Sequence, residues 1–143
     1  MTAADTNILF PALEASHPDH SAARSFLAEQ TQNKEFALCE LNLMEVYTLL
    51  RNPATSAKPL TASAAARKIQ NLRANPHWAL LDYPGGLMDG VWEHAEESEA
   101  FRRIYDIRLA LTLRHHGVLR FATANLKDLA GFGFEVWNPL RKG

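Results

Sequence analysis

The chain has 143 residues, 47% of them hydrophobic and 22% charged, with 15 basic against 16 acidic side chains and a single cysteine, Cys39. That balance excludes a disordered chain, gives no reason to divide residues 1–143 into more than one domain, and leaves too little net charge (−1) for bulk electrostatics to hold nucleic acid. One cysteine excludes an intramolecular disulfide. The N-terminus has an acid where a signal peptide would be basic and then apolar, and no stretch could span a bilayer, so the expected location is cytoplasmic.

In chain order the periodicity alternates between strand and helix. Residues 2–5 (TAAD) predict a short first strand, and Asn7 a cap for a helix over 8–15 with Pro11 near its first turn. The stretch HPDHSAARSFLAEQTQ predicts a second helix opened by Pro18 and Asp19, and EFALC (35–39) a buried strand. LNLMEVYTLLRNP (41–53) reads as a mostly buried helix stopped at Asn52-Pro53. Thr61 or Ser63 can cap an alanine-rich helix running to about Ala74. Strand HWALLDY (77–83), turn PGG and a helix over 87–97 follow; the helix over 103–117 is the clearest, closed by Gly117. VLRFATA predicts a fourth strand, NLKDLAGFG a turn or short helix, and FEVWN a last strand. Strands separated by helices imply an α/β fold with a short, mostly parallel sheet covered on both faces.

Several acids sit where a core belongs. Asp5 falls at the carboxyl end of the first strand and Asn125 at the corresponding end of the fourth, the edge where open parallel sheets gather functional groups. Glu45 lies among Leu43, Met44, Val46 and Leu49, and Asp106 beside Ile107, Leu109 and Ala110. Taken singly, Glu45 fits a solvent stripe, and Glu40 and Asp106 fit partners of a helix dipole. Taken together, Asp5, Glu45 and Asp106 would repel one another unless a hard divalent cation compensates them.

The segments ADTNILF, MEVYTLLRNP, YDIRLALTLRHHG, ATANLKDL and EVWNP, in this order, resemble the PIN-domain ribonucleases, and more narrowly the VapC toxins of bacterial toxin–antitoxin pairs. The resemblance implies a three-layer sandwich and a Mg²⁺- or Mn²⁺-dependent endoribonuclease leaving a 3′-hydroxyl and a 5′-phosphate. It implies metal binding by Asp5 and Asp106, with Glu45 completing the pocket and Asn7 supporting Asp5. It also places Thr123 and Asn125 in the motif after the fourth strand. Partners implied are an RNA substrate, a cognate antitoxin and a second copy of the chain.

The chain departs from the family pattern where Asn125 replaces a frequent acid. Asp128 could compensate, although its place suits a turn residue better. Leu129 replaces a common aromatic, and Ala3 and Ala4 replace larger aliphatics, which implies a close neighbour or loose packing there. Arg102 and Arg103, just before Asp106, are the expected RNA contacts, whereas solvation explains Arg108 and Arg114 equally well. His17 and His20 make no convincing zinc site. Aromatics in VYTLL and GLMDGVW are expected in the core, with partner contact as the alternative. Two rival functions are a catalytically inactive PIN fold used for binding and a receiver-like domain with Asp5 as phosphate acceptor; Lys127 is the only lysine placed for the latter.

Overall fold

The computed structural model describes residues 1–98 and 100–141. Its elements are β1 (Thr2–Ala4), α1 (Thr6–Leu13), α2 (His20–Glu29), β2 (Phe36–Cys39), α3 (Glu40–Arg51), α4 (Ala62–Arg73), β3 (Ala79–Leu81), α5 (Leu87–Ala95), α6 (Arg103–His115), β4 (Arg120–Ala122), α7 (Leu126–Leu129) and β5 (Glu135–Trp137). All strand pairings are parallel, in the order β3-β2-β1-β4-β5. The chain therefore builds outward from β1 in one direction, then returns to lay β4 and β5 on its other side. The crevice between the carboxyl ends of β1 and β4 is the switch point at which such sheets bind ligands.

Side chains alternate across each strand, and the alternation builds the two cores. Ala4, Phe36 and Leu38 face a cluster with Ile8, Leu9 and Val46 from α1 and α3. Ala3, Ala37 and Cys39 face the opposite cluster, with Leu109, Ala110 and Leu113 of α6 and Phe121 of β4. Ala3 and Ala4 are fully buried in the middle strand. Their small size thus answers to helices pressed on both faces rather than to loose packing. Leu129 is likewise buried among the second cluster.

Two helix ends show how local sequence sets the boundaries. Gly117 has φ +82°, its N–H bonds Arg114 O at 3.1 Å, and Val118 N–H bonds Leu113 O at 3.0 Å. This is a Schellman ending, available to glycine without steric cost. Thr61 caps α4 by accepting from Ala64 N–H at 3.2 Å. At α1 the expected cap is corrected: Asp5, not Asn7, accepts from Thr6 N–H at 2.7 Å. The helix accordingly starts two residues early, and Pro11 falls in its second turn. The strands are also shorter than the sequence suggests, because pairing stops where the chain turns onto the helices.

Helix α3 is buried on one face only, through Asn42, Leu43, Val46 and Leu50. Met44 (66% exposed) and Glu45 lie on its open side, so the expectation of a mostly buried helix is corrected. Trp92, expected in the core, is 59% exposed, whereas Val91 beside it is buried. Among the described residues, no helix is long and apolar enough to cross a membrane.

Candidate active site

The fold carries Asp5 to the switch point and holds it there with neutral donors. Oδ1 accepts from Thr6 N–H (2.7 Å) and from Asn42 Nδ2 (3.2 Å), while Oδ2 accepts from Thr123 Oγ1 (2.8 Å). Thr123, fully buried at the end of β4, in turn accepts from Asn7 Nδ2 at 3.3 Å and from Asn125 N–H at 3.0 Å. Asn7 Oδ1 accepts Ala124 N–H at 3.0 Å, so one side chain ties the start of α1 to the loop after β4. That is a more specific role than the cap expected for it.

Asn42 and Thr6 are members of this network that sequence reasoning missed. Asn42 is fully buried on α3 and gives its second proton to Thr6 Oγ1 at 3.0 Å. Its own Oδ1 is buried and has no partner among the described residues. Turning the amide over would set oxygen against the Asp5 carboxylate, so the orphaned acceptor follows from serving Asp5. Thr6 Oγ1 then reaches Glu45 Oε1 at 3.3 Å. An asparagine one turn before Glu45, inside an apolar helix, was the available signal.

Glu45 and Asp106 complete the cleft. Its volume is about 430 Å³, and it is lined by Asp5, Glu45, Asp106, Asn7 and Asn125, together with His17 and Phe10. Burial pushes the Asp5 carboxyl above the usual range against its three hydrogen bonds, and Asp106 adds to the rise. Burial of its carboxyl end raises Glu45, with repulsion from Asp5 and then Asp106. Asp106 is raised by burial and by Asp128, with Arg103 opposing. Among the described residues none of the three is in an ion pair.

The remaining expected residues divide. Asn125 lines the cleft and donates Nδ2 to Asp128 Oδ2 at 2.7 Å, so Asp128, on α7, sits beside the acids at one remove. Arg103 donates to the backbone carbonyl of Asp128 and lies 5.2 Å from the Phe132 ring. Arg102 stacks on exposed Phe101 at 5.7 Å. Neither arginine lines the cleft. Glu40 pairs with Arg73 at 2.9 Å, which accounts for it structurally. His20 places Nδ1 on Pro11 O at 2.8 Å, and His17 receives Asp19 N–H on Nδ1 at 3.0 Å.

The donor set suits a hard cation. Every polar group offered by Asp5, Glu45, Asp106 and Asn125 is an oxygen acceptor or an amide, and among the described residues no compensating cation lies within ion-pair distance of the carboxylates. Among the described residues, no group of three or more His, Cys, Asp or Glu is arranged to hold a metal by itself. Mg²⁺ fits such an open arrangement because it keeps several waters and needs only one or two carboxylates.

Comparison with known proteins bears on the family and the fold. Residues 3–130 match the model of the PIN domain. Ribonuclease VapC24 of Mycobacterium tuberculosis is 47% identical over 142 residues, covering 98% of this chain and 97% of that protein. Among solved structures, M. tuberculosis VapC20, described as a sarcin-ricin loop cleaving toxin, superposes with a TM-score of 0.69 at 17% identity, covering 95% of this chain and 98% of that one. A toxin–antitoxin complex from Klebsiella pneumoniae contains a chain with a TM-score of 0.61 at 19% identity, covering 97% of this chain and 98% of that one. At these identities the two structures speak for the fold alone.

Proposed function

The chain belongs to the PIN-domain family, and from that premise we propose that it is a metal-dependent endoribonuclease, the toxin of a toxin–antitoxin pair. The observation that carries this reading is the desolvated carboxylate of half-buried Asp5. It is held by neutral donors on both oxygens beside two further acids, with no cation in ion-pair range among the described residues. A purely structural carboxylate would be paired or solvated.

Asp5 and Asp106 are the residues that would hold the ion. When bound, Mg²⁺ or Mn²⁺ would lower the pKa of a water and polarise a phosphate oxygen. Thr123 and Asn42 fix the angle of the Asp5 carboxylate, and Asn7 fixes Thr123. Glu45, whose carboxyl is raised, is suited to take the proton of an attacking water. Hydrolysis then adds hydroxide to phosphorus and a proton to the departing 3′ oxygen, leaving a 3′-hydroxyl and a 5′-phosphate. Asn125 spends its amide nitrogen on Asp128, so its oxygen is what it offers the cleft.

An antitoxin and a second copy of the chain are the proposed protein partners. Exposed Met44 and Tyr105, both 66% accessible and next to Glu45 and Asp106 in sequence, give a partner apolar surface to bury. A cytoplasmic location follows from the same reading. Arg102, outside the cleft, is the proposed RNA contact, whereas Arg103 is engaged with α7.

The deciding experiment incubates purified protein with cellular RNA in Mg²⁺, in Mn²⁺ and with a chelator, beside Asp5→Asn protein prepared identically. Cleavage that needs metal and vanishes in the variant is the expected result. Equal cleavage by both proteins marks a contaminant, and neither cleavage nor calorimetric metal binding favours the binding-only fold.

A further inference from the structure

His17 is not needed for the metal chemistry, yet it lines the acid cleft beside Phe10 and Leu49. Among the described residues lining that cleft it is the only one whose side chain can carry positive charge. The loop that bears it is pinned from several sides. Glu14 accepts from Ser16 at 2.7 Å and from Ser56 at 2.6 Å, Asp19 pairs with Arg141 at 2.8 Å, and His20 is fixed to Pro11 O at 2.8 Å.

The ring itself is held too. Phe10 meets it edge-on, with centroids 6.0 Å apart and planes at 87°, and Nδ1 accepts the Asp19 N–H at 3.0 Å. An accepting Nδ1 puts the proton of the neutral ring on Nε2. One nitrogen therefore orients the imidazole and the other is left as a donor. An RNA strand entering this cleft brings phosphates towards three carboxylates, and a fixed N–H donor on the same cleft lining would offset that repulsion for a neighbouring phosphate.

We propose that His17 is a substrate-binding residue whose Nε2–H takes the RNA backbone phosphate adjacent to the one that is cleaved. The inference rests on the ribonuclease reading for its substrate class, and it deepens that reading by giving the strand a polarity anchor at the α1–α2 loop.

The test compares wild type, His17→Ala and His17→Gln. Affinity for a labelled single-stranded RNA is measured in chelator, kinetics in Mg²⁺, and thermal midpoints on the same preparations. Loss of one charge-assisted hydrogen bond predicts that His17→Ala weakens binding and raises KM by about five- to tenfold, with kcat within about twofold. His17→Gln retains an N–H and recovers most of the affinity, and neither variant moves the midpoint by more than about 2 °C. A neutral methylphosphonate placed next to the mapped cleavage site weakens wild type to the same extent and His17→Ala hardly at all.

Unchanged binding in His17→Ala overturns the proposal, as does a methylphosphonate penalty equal in both proteins or a loss that follows a falling midpoint. Those results leave the ribonuclease reading standing if wild type still cleaves. Wild type that binds RNA but cleaves no more than Asp5→Asn protein removes the ribonuclease reading instead, and the chelator affinities then judge His17 alone.

Discussion

The two sides of the cleft are built differently. On the β1 side, the Asp5 carboxylate is locked by three hydrogen bonds, and its supporting residues Thr6, Asn42 and Thr123 are all buried. On the α6–α7 side, Asp106 is half-buried, and it faces Asn125 and Asp128, which are exposed and bonded to each other. The first side is preorganised by the packing of the sheet. The second is carried by a helix start and a four-residue helix, and its side chains can adjust to what binds. A hydrolytic site of the kind proposed would gain from this division, with one rigid carboxylate setting position and softer ones accommodating charge redistribution during reaction.

That contrast is broken most severely at Asp5. Asp5→Asn should lower cleavage by about a thousandfold, a several-kcal/mol loss of charge stabilisation, measured as single-turnover rates in Mg²⁺. Asp106→Asn should cost less, about ten- to a hundredfold, and more of it should return at high metal concentration. Equal losses at both positions would remove the distinction between a rigid and an adjustable side.

Asn42→Ala strikes the rigid side without touching a proposed ligand. It should destabilise the fold by about 1–3 kcal/mol in urea unfolding, because it opens a buried gap and strips Asp5 and Thr6 of a donor. Metal affinity measured calorimetrically should fall with it. Asn125→Ala, on the exposed side, should leave stability within about 0.5 kcal/mol.

A gentler probe is pH. The folded-state pKa values of Asp5, Glu45 and Asp106 are all raised, above 3.8 for the aspartates and 4.5 for the glutamate. The folded chain therefore holds protons that the unfolded chain releases. This contribution to stability is fully present below the ordinary carboxylate values and is lost as pH rises through the raised ones. Without divalent metal, the thermal midpoint should fall over that interval on account of these groups. Added Mg²⁺ should restore it, by more at pH 7.5 than at pH 5. Glu45→Gln should give the smallest effect, raising the metal-free midpoint at neutral pH by about 1–3 °C while keeping the Thr6 bond to its oxygen.

Much of this molecule is readable from single residues and their spacing. Asn52-Pro53 ends α3, Gly117 ends α6 and Thr61 opens α4, because caps and breakers act through their immediate neighbours. The acids at 5, 45 and 106 stood out as charges in apolar settings, and the structure brings all three to one cleft. Asn42 and Thr6 escaped notice because a buried polar residue resembles any solvated one until its partners are known. Both acquire their roles from contacts 36 to 39 positions away. The cap expected at Asn7 fails for the same reason, since cap propensity favours it locally but its partner Thr123 is 116 positions along the chain; the supporting role implied by the resemblance is a separate expectation.

Alternating strands and helices, the parallel sheet and the three acids are legible in the chain alone, since each follows from periodicity, local capping or the cost of placing charge among apolar neighbours. The open face of α3, the grip on Asp5 and the presence of His17 in the acids' cleft come from the packed fold. Those properties depend on how β1 and β4 are set side by side, a pairing between residues 2–4 and 120–122 that no local pattern encodes.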